Sequence, residues 1–120
     1  MEDIYKFDLS DEEYEKVVSG IKVVHLFVNL SKYKTLSAGN EISFITGEGE
    51  SYKKIDAVIE NILYFSTVTE AIEGLGKEKC GYKNSQTFDK ASDIFLSNES
   101  YEQIEKYGIG AILFNLKEKN

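Results

Sequence analysis

The sequence predicts an α+β domain in which a small mixed β-barrel is flanked by short helices. The main observation is the order of patterns along the chain: a strand, a helix, several strands, further helices and a final strand. Two typical helix starts, Ser10–Glu13 and Thr67–Glu70, separate the strand patterns. The chain also has no proline, internal repeat or low-complexity stretch that would mark a boundary, so residues 1–120 are predicted to form one domain.

The first two elements are predicted from periodicity and capping. Apolar and polar residues alternate over positions 5–9, as in a half-buried strand. Ser10–Glu13 is a capping box, in which the serine hydroxyl and the glutamate serve backbone N–H groups at the helix start. The helix is predicted over about 11–19, with one apolar face formed by Tyr14, Val17 and Val18. Gly20 is suited to end it because glycine readily adopts a left-handed conformation.

The middle of the chain is predicted to consist mainly of strands. Residues 22–30 are rich in β-branched and aromatic side chains, which favours a buried strand that begins with Lys22 and Val23. A turn at 37–40 precedes a strand over 41–46, and the glycines of 47–51 predict a flexible hairpin connection. Residues 53–64 are ambiguous, because their apolar positions have helical spacing while their residue types favour a strand.

The last part of the chain begins with the second capping box, Thr67–Glu70. It predicts a short helix that Gly74 and Gly76 would end. Residues 77–97 are predicted to form loop and helical turns.

A further helix is predicted over 99–106, with Tyr101 and Ile104 facing inward. The mainly apolar segment 109–116 is predicted as the final strand.

Composition favours a soluble globular protein. The chain has 120 residues, of which 42% are hydrophobic and 29% charged. No apolar run approaches the roughly 20 residues of a membrane helix, and the acidic start Met1–Asp3 is unlike the basic start of a signal peptide. The sequence therefore predicts a cytoplasmic protein without a membrane partner.

The charge of the chain argues against strong, nonspecific binding of nucleic acid. Its 14 basic residues are all lysine and face 21 acidic residues, which gives a net charge of −7. Such binding depends on cations that replace the counterions of phosphates, and arginine is the side chain best shaped to read phosphates and guanine edges. A pocket for one nucleotide or nucleoside is compatible with this composition.

The sequence predicts no metal site and no cofactor. One cysteine, Cys80, and one histidine, His25, cannot form an internal disulfide or a Cys/His zinc site. A nucleophilic role for Cys80 would need a nearby base and a lowered pKa, so a small packing residue is the favoured interpretation.

Five short blocks carry a resemblance to a known family: Ser19–Phe27, Ala38–Phe44, Tyr64–Ser66, Glu78–Tyr82 and Glu105–Ile112. In this order, over nearly the whole chain, they resemble the ASCH domain, a PUA-like family linked to RNA. The resemblance implies a mixed barrel with a cleft between the barrel and its helices. It also implies a long strand over 53–64, which is the prediction adopted for that segment.

The first block resembles the family signature Gly-x-Lys-x-x-Glu-x-Arg. Gly20 and Lys22 match it, whereas His25 and Phe27 stand where the glutamate and the arginine are expected. Two of the four signature positions are therefore changed. The replacement of the arginine by Phe27 removes a cation and favours packing over phosphate binding.

The resemblance points to Lys22, His25, Phe65, Ser66 and Tyr82 as ligand-binding residues. A desolvated lysine can bind a phosphate or take part in catalysis, and the alternative is a lysine that reaches out to solvent. A histidine can act as a base or bind a base edge, and the alternative is a hydrogen-bonded core residue. For Phe65, Ser66 and Tyr82, the alternative is a purely structural role.

Lys32–Lys34 interleaves two cations with a tyrosine, which is a weak signal for nucleic acid. An ordinary solvated segment is the favoured interpretation of these residues.

The leading hypothesis is an ASCH-like binding module that recognises RNA or a nucleotide-like small molecule in its cleft. Some relatives of the resembled family are amidohydrolases that act on N4-acetylated cytidine with a lysine, a hydroxyl residue and a carboxylate. Lys22 matches that lysine, but His25 holds the hydroxyl position, and the carboxylate could be Glu70, Glu73 or Glu78. A binding module is thus favoured over an enzyme. A third hypothesis is an acidic module that binds a protein partner and has lost nucleic-acid binding.

Overall fold

The computed structural model describes residues 5–97, 99 and 101–117. It contains five strands: β1 (Tyr5–Asp8), β2 (Val24–Val28), β3 (Glu41–Thr46), β4 (Lys53–Phe65) and β5 (Ile109–Leu116). Four helices flank them: α1 (Asp11–Val18), α2 (Val68–Leu75), α3 (Phe88–Leu96) and α4 (Tyr101–Tyr107). The predicted α+β class and the small mixed barrel with flanking helices are confirmed.

The strands form one mixed sheet in the order β1-β3-β4-β5-β2. β1 and β3 are parallel, and the other neighbours are antiparallel. The long strand β4 pairs with β3 through its first half and with β5 through its second half, with a bulge between Ile59 and Asn61. A bulge bends a strand and increases its twist, so this irregularity helps the sheet to curl into a half-barrel.

The curl brings the two edge strands together. The ring of Phe7 on β1 lies 4.6 Å, between centroids, from the ring of His25 on β2, although three strands separate them in the sheet. Inside the half-barrel, Phe7 also packs near Phe44, which is fully buried. This aromatic interior is one of two hydrophobic clusters.

The second cluster lies between the outer face of the sheet and the helices. Alternate residues of β2 and β5 face it, among them Val24, Leu26 and Ala111. They pack against Ile72 of α2 and Phe95 of α3. The strand period of two thus divides β2 and β5 between an interior aromatic core and an exterior helix-packed core.

Both predicted helix starts are present. The Ser10 hydroxyl accepts a hydrogen bond from the N–H of Glu13 at 3.2 Å, and the Thr67 hydroxyl accepts one from the N–H of Glu70 at 3.1 Å. Gly20 follows α1 with φ +84°, and Gly76 caps α2 with φ +100°. Each glycine is suited to its position because side chains with a Cβ rarely adopt such a φ.

Several boundaries and orientations differ from the sequence prediction. The second strand begins at Val24, not at residue 22, so Lys22 lies in the preceding turn. The segment 77–97 contains a nine-residue helix, α3, where only helical turns were predicted. The predictions that Val18 and Tyr101 face inward are wrong, since they are 45% and 65% exposed. Each sits on a short helix, where periodicity identifies the buried face poorly.

The strand prediction for 53–64 is confirmed by β4. Its helix-like spacing has a structural explanation, because the strand is bulged and changes partners midway. No helix among the described residues is long and apolar enough to cross a membrane.

Candidate functional site

Lys22 is held in place by backbone contacts to two separate elements. Its N–H donates to the carbonyl of Lys16, in the last turn of α1, at 3.0 Å. The next two N–H groups, of Val23 and Val24, both donate to the carbonyl of Lys79 at 3.0 Å. The segment around Lys22 is therefore fixed between α1 and the loop that follows α2.

The Lys22 side chain is buried, with 5% of its surface exposed. Its stem packs on Gly81, where a Cβ would lie 3.0 Å from the Lys22 Cδ, and φ +95° also favours glycine at this position. Lys16 donates from Nζ to the Gly81 carbonyl at 2.8 Å, which ties the same loop to α1. The predicted alternative of a lysine that extends into solvent is therefore wrong.

The Lys22 ammonium forms an ion pair with Glu13. Its Nζ donates to Oε2 of Glu13 at 3.0 Å, and the Glu13 side chain is 46% exposed. An ammonium has three N–H donors, and the described residues supply an acceptor for one of them. A buried cation with unused donors is suited to bind a ligand oxygen that arrives from the solvent side.

His25 lies in the aromatic interior of the half-barrel. Its ring is 4.6 Å from that of Phe7 and 5.5 Å from that of Phe44. The Nδ1 atom is buried and has no hydrogen-bond partner among the described residues. Burial, with a smaller contribution from the charge of Lys22, lowers the pKa of His25 well below its usual value of 6.5. His25 is therefore neutral at pH 7.

We expect His25 to make the protein less stable as the pH falls below about 6.5. The unfolded chain binds a proton near that pH, while the folded chain, with its lowered histidine pKa, does not; protonation thus favours unfolding. Urea unfolding at successive pH values should show a loss of about 1 kcal/mol per pH unit between roughly pH 6.5 and 5.5. A His25→Phe variant should lack this slope, and an equal slope in both proteins would contradict a neutral buried histidine.

Cys80 and Tyr82 complete the surroundings of Lys22. Burial raises the pKa of the Cys80 thiol to about 11, although the charge of Lys22 opposes this. Burial, followed by the carboxylate of Glu13, also raises the pKa of the Tyr82 hydroxyl. Both groups are therefore protonated at neutral pH, so Cys80 is a buried packing residue there and Tyr82 can donate a hydrogen bond.

Phe65 and Ser66 lie at the other end of the sheet. Phe65 pairs with Ile109, whereas the start of β2 near Lys22 is aligned with Leu113. Leu113 lies four positions along the strand from Ile109, a distance of about 13 Å. Of the predicted site residues, Tyr82 lies beside the Lys22–Glu13 pair, the His25 ring faces the aromatic interior, and Phe65 and Ser66 lie farther along the sheet.

The three carboxylates considered from the sequence, Glu70, Glu73 and Glu78, make no ion pair with Lys22 in the described structure. Glu78 instead accepts a hydrogen bond from the amide of Asn84 at 2.6 Å. The partner of Lys22 is Glu13, for which the sequence predicted only a capping role. No sequence signal identifies this pair, because Glu13 and Lys22 are nine residues apart on either side of a helix end.

Phe27, Lys32 and Tyr33 contact one another near the interior core. The Phe27 ring packs 5.1 Å from that of Tyr33, which also contacts Phe7. Lys32 lies over the Tyr33 ring at 5.1 Å. The aromatic residues at this end therefore pack on the interior core. Within residues 5–97, 99 and 101–117, no group of three or more histidine, cysteine or acidic side chains could hold a metal ion.

Comparisons with known proteins support the fold. The sequence matches no protein-family model and no curated protein. Two solved structures are similar to it over almost its full length. The crystal structure of the hypothetical protein PH0355 has a TM-score of 0.79 and 18% identity, and covers 96% of this chain and 100% of its own. The solution structure of PF0455 from Pyrococcus furiosus has a TM-score of 0.75 and 20% identity, and covers 98% and 100%.

Proposed function

We propose that this protein is an ASCH-like, PUA-related module that binds a nucleotide-like ligand at Lys22. The observation that carries the proposal is a buried ammonium whose described partner is one half-exposed carboxylate, Glu13. The fold and the sequence blocks that resemble the ASCH family support the same assignment.

The chemistry at Lys22 favours a ligand rich in oxygen acceptors. A desolvated cation is stabilised when its remaining donors meet charged or carbonyl oxygens. A phosphate oxygen or a base carbonyl can approach past Glu13, because nearly half of that side chain is exposed. Tyr82 offers a protonated hydroxyl and an aromatic ring beside the same position. These groups suit a base or a phosphate of a single nucleotide.

The charge of the chain favours one nucleotide unit over a long RNA. A net charge of −7 and the absence of arginine oppose contacts with many phosphates. One buried lysine can still recognise one oxygen-rich group, because screening by salt is weak at a buried site. Binding of this kind should depend on Lys22 and little on ionic strength.

The proposal is tested by thermal unfolding with cytidine, cytidine monophosphate, N4-acetylcytidine and a short single-stranded RNA. A ligand at about 100 times its Kd should stabilise the wild type by about 2.7 kcal/mol, which raises the Tm measurably. Lys22→Ala should abolish the rise, while Lys34→Ala, which removes an exposed lysine, should retain it. If no compound raises the Tm of the folded wild type, the proposal fails and the protein-partner hypothesis becomes the better one.

The amidohydrolase alternative is favoured by one specific observation. Glu13 supplies a carboxylate 3.0 Å from Lys22, a role for which the sequence offered Glu70, Glu73 and Glu78. The same samples can be assayed for release of acetate from N4-acetylcytidine. Turnover that disappears in Lys22→Ala and in Glu13→Gln, with folding retained, would establish the enzyme. Binding of the nucleoside without turnover would leave the binding module.

A further inference from the structure

A cleft lies beside the segment that follows Lys22. It is open to the surface and has a volume of about 340 Å³ between the end of α2, the loop at Lys79 and the sheet. Its apolar lining includes Leu75, Leu113 and the buried residues Val24 and Phe114. Lys22 is not among the lining residues. This volume is within the range of small-molecule sites, and the apolar lining can cover the body of a ligand.

One side of this cleft carries acceptors. Glu60 is the extra residue of the β4 bulge, and its Oε2 accepts a hydrogen bond from Nδ2 of Asn115, also a lining residue, at 2.9 Å. This bond orients the carboxylate and leaves Oε1 without a donor among the described residues. Gly74 and Leu75 belong to the last turn of α2, where helical carbonyls lack helical donors and a positive charge is favourable.

The other charged group of the cleft is Lys79. Its backbone is fixed, because its carbonyl accepts both N–H groups of Val23 and Val24. Its side chain is exposed, and no described residue accepts a hydrogen bond from its ammonium. The cleft therefore combines an apolar lining, an oriented carboxylate and a free cation.

We infer that this cleft binds a small zwitterion with an apolar body, the chemistry of an α-amino acid with an aliphatic side chain. The ligand ammonium would meet Glu60 and the end of α2, and its carboxylate would meet Lys79. The aliphatic body would cover Leu75 and Leu113. This inference is independent of the function proposed for Lys22, since the two sites share no charged side chain.

The test is a titration of the labelled full chain, followed by the NMR shifts of its backbone amides. Three probes separate the charged groups: L-leucine, 4-methylpentanoate, which lacks the amine, and isoamylamine, which lacks the carboxylate. We expect L-leucine at millimolar concentration to shift the amides of Leu75, Lys79 and Asn115. Each one-charge analogue should bind about tenfold more weakly than L-leucine.

Two variants assign the charges to their partners. Glu60→Gln should weaken L-leucine and isoamylamine about tenfold and leave 4-methylpentanoate unchanged. Lys79→Met should weaken L-leucine and 4-methylpentanoate and leave isoamylamine unchanged. Glu50→Gln and Lys34→Met, at exposed positions, serve as matched controls and should leave the titration unchanged.

Three results would overturn the inference. The first is an absence of amide shifts at these residues with all probes, while the spectrum shows a folded protein. The second is equal affinity for the zwitterion and both analogues. The third is retention of leucine binding in both Glu60→Gln and Lys79→Met.

Discussion

Replacement of Gly110 by alanine should destabilise the protein by about 2–3 kcal/mol, the effect of an extra methyl group in a packed core. Gly110 lies in β5 between Phe27 and Tyr64 on the neighbouring strands. The Phe27 ring covers this glycine so closely that an added Cβ would overlap three of its ring atoms. The ring cannot move away freely, because Tyr33 packs against it.

Urea unfolding monitored by circular dichroism measures this loss of stability. Gly74→Ala is a matched control, since a Cβ there would meet Phe65 at an ordinary 3.6 Å and alanine favours the helical conformation. It should be neutral or stabilising. Phe27→Leu should recover part of the loss when combined with Gly110→Ala. A Gly110→Ala variant as stable as the wild type would mean that the Phe27 ring does not occupy this position.

The second large effect should come from Glu13, and it should exceed that of its partner. Glu13→Gln leaves the Lys22 ammonium buried without a countercharge, which we expect to cost about 2 kcal/mol. Lys22→Met leaves the Glu13 carboxylate, which water can solvate because that side chain is 46% exposed. The apolar methionine side chain can also fill the space of the lysine stem. That variant should cost less than about 1 kcal/mol.

The comparison is made by urea unfolding of both single variants and the double variant. The double variant should be more stable than Glu13→Gln alone, because the unpaired buried charge is gone. Glu12→Gln is the matched control: its carboxylate is 72% exposed and 3.6 Å from Lys16, so its removal should change stability by less than about 0.5 kcal/mol. If Lys22→Met loses more free energy of unfolding than Glu13→Gln, the prediction that Glu13 has the larger effect is wrong.

The small loss of stability expected for Lys22→Met is relevant to the function of Lys22. If Lys22→Met is nearly as stable as the wild type, stability alone does not account for a lysine at this buried position. The same variant should lose the ligand proposed for this site. A residue that contributes little to folding and much to binding is the pattern expected of a functional site.

The helix starts and the strands at 41–46 and 109–116 were predictable from the sequence. Ser10 and Thr67 cap their helices through bonds to residues three positions away, so their signal is local. The strand over 53–64 was different, because its periodicity indicated a helix and the family resemblance indicated a strand. Its bulge and its change of partners explain why periodicity misled.

The candidate site was only partly predictable. The resemblance pointed to Lys22, and the structure places Tyr82 beside the Lys22–Glu13 pair, while the His25 ring faces the aromatic interior. It also pointed to Phe65 and Ser66, but Phe65 pairs with Ile109, farther along the sheet than Leu113, which pairs with Val24. The blocks that contain Lys22 and Phe65 lie toward opposite ends of one sheet. The spacing between two blocks along the chain does not show at which end of the sheet each block lies.

The two capped helices, the strands at 41–46 and 109–116 and the absence of arginine follow from the sequence alone, because each depends on composition or on residues a few positions apart. The burial of Lys22 beside Glu13 and the packing of His25 against Phe7 and Phe44 could be seen only in the folded chain. These contacts form when the sheet curls and α1 meets the loop at Gly81. They join residues whose proximity depends on the path of the whole chain, so no local pattern encodes them.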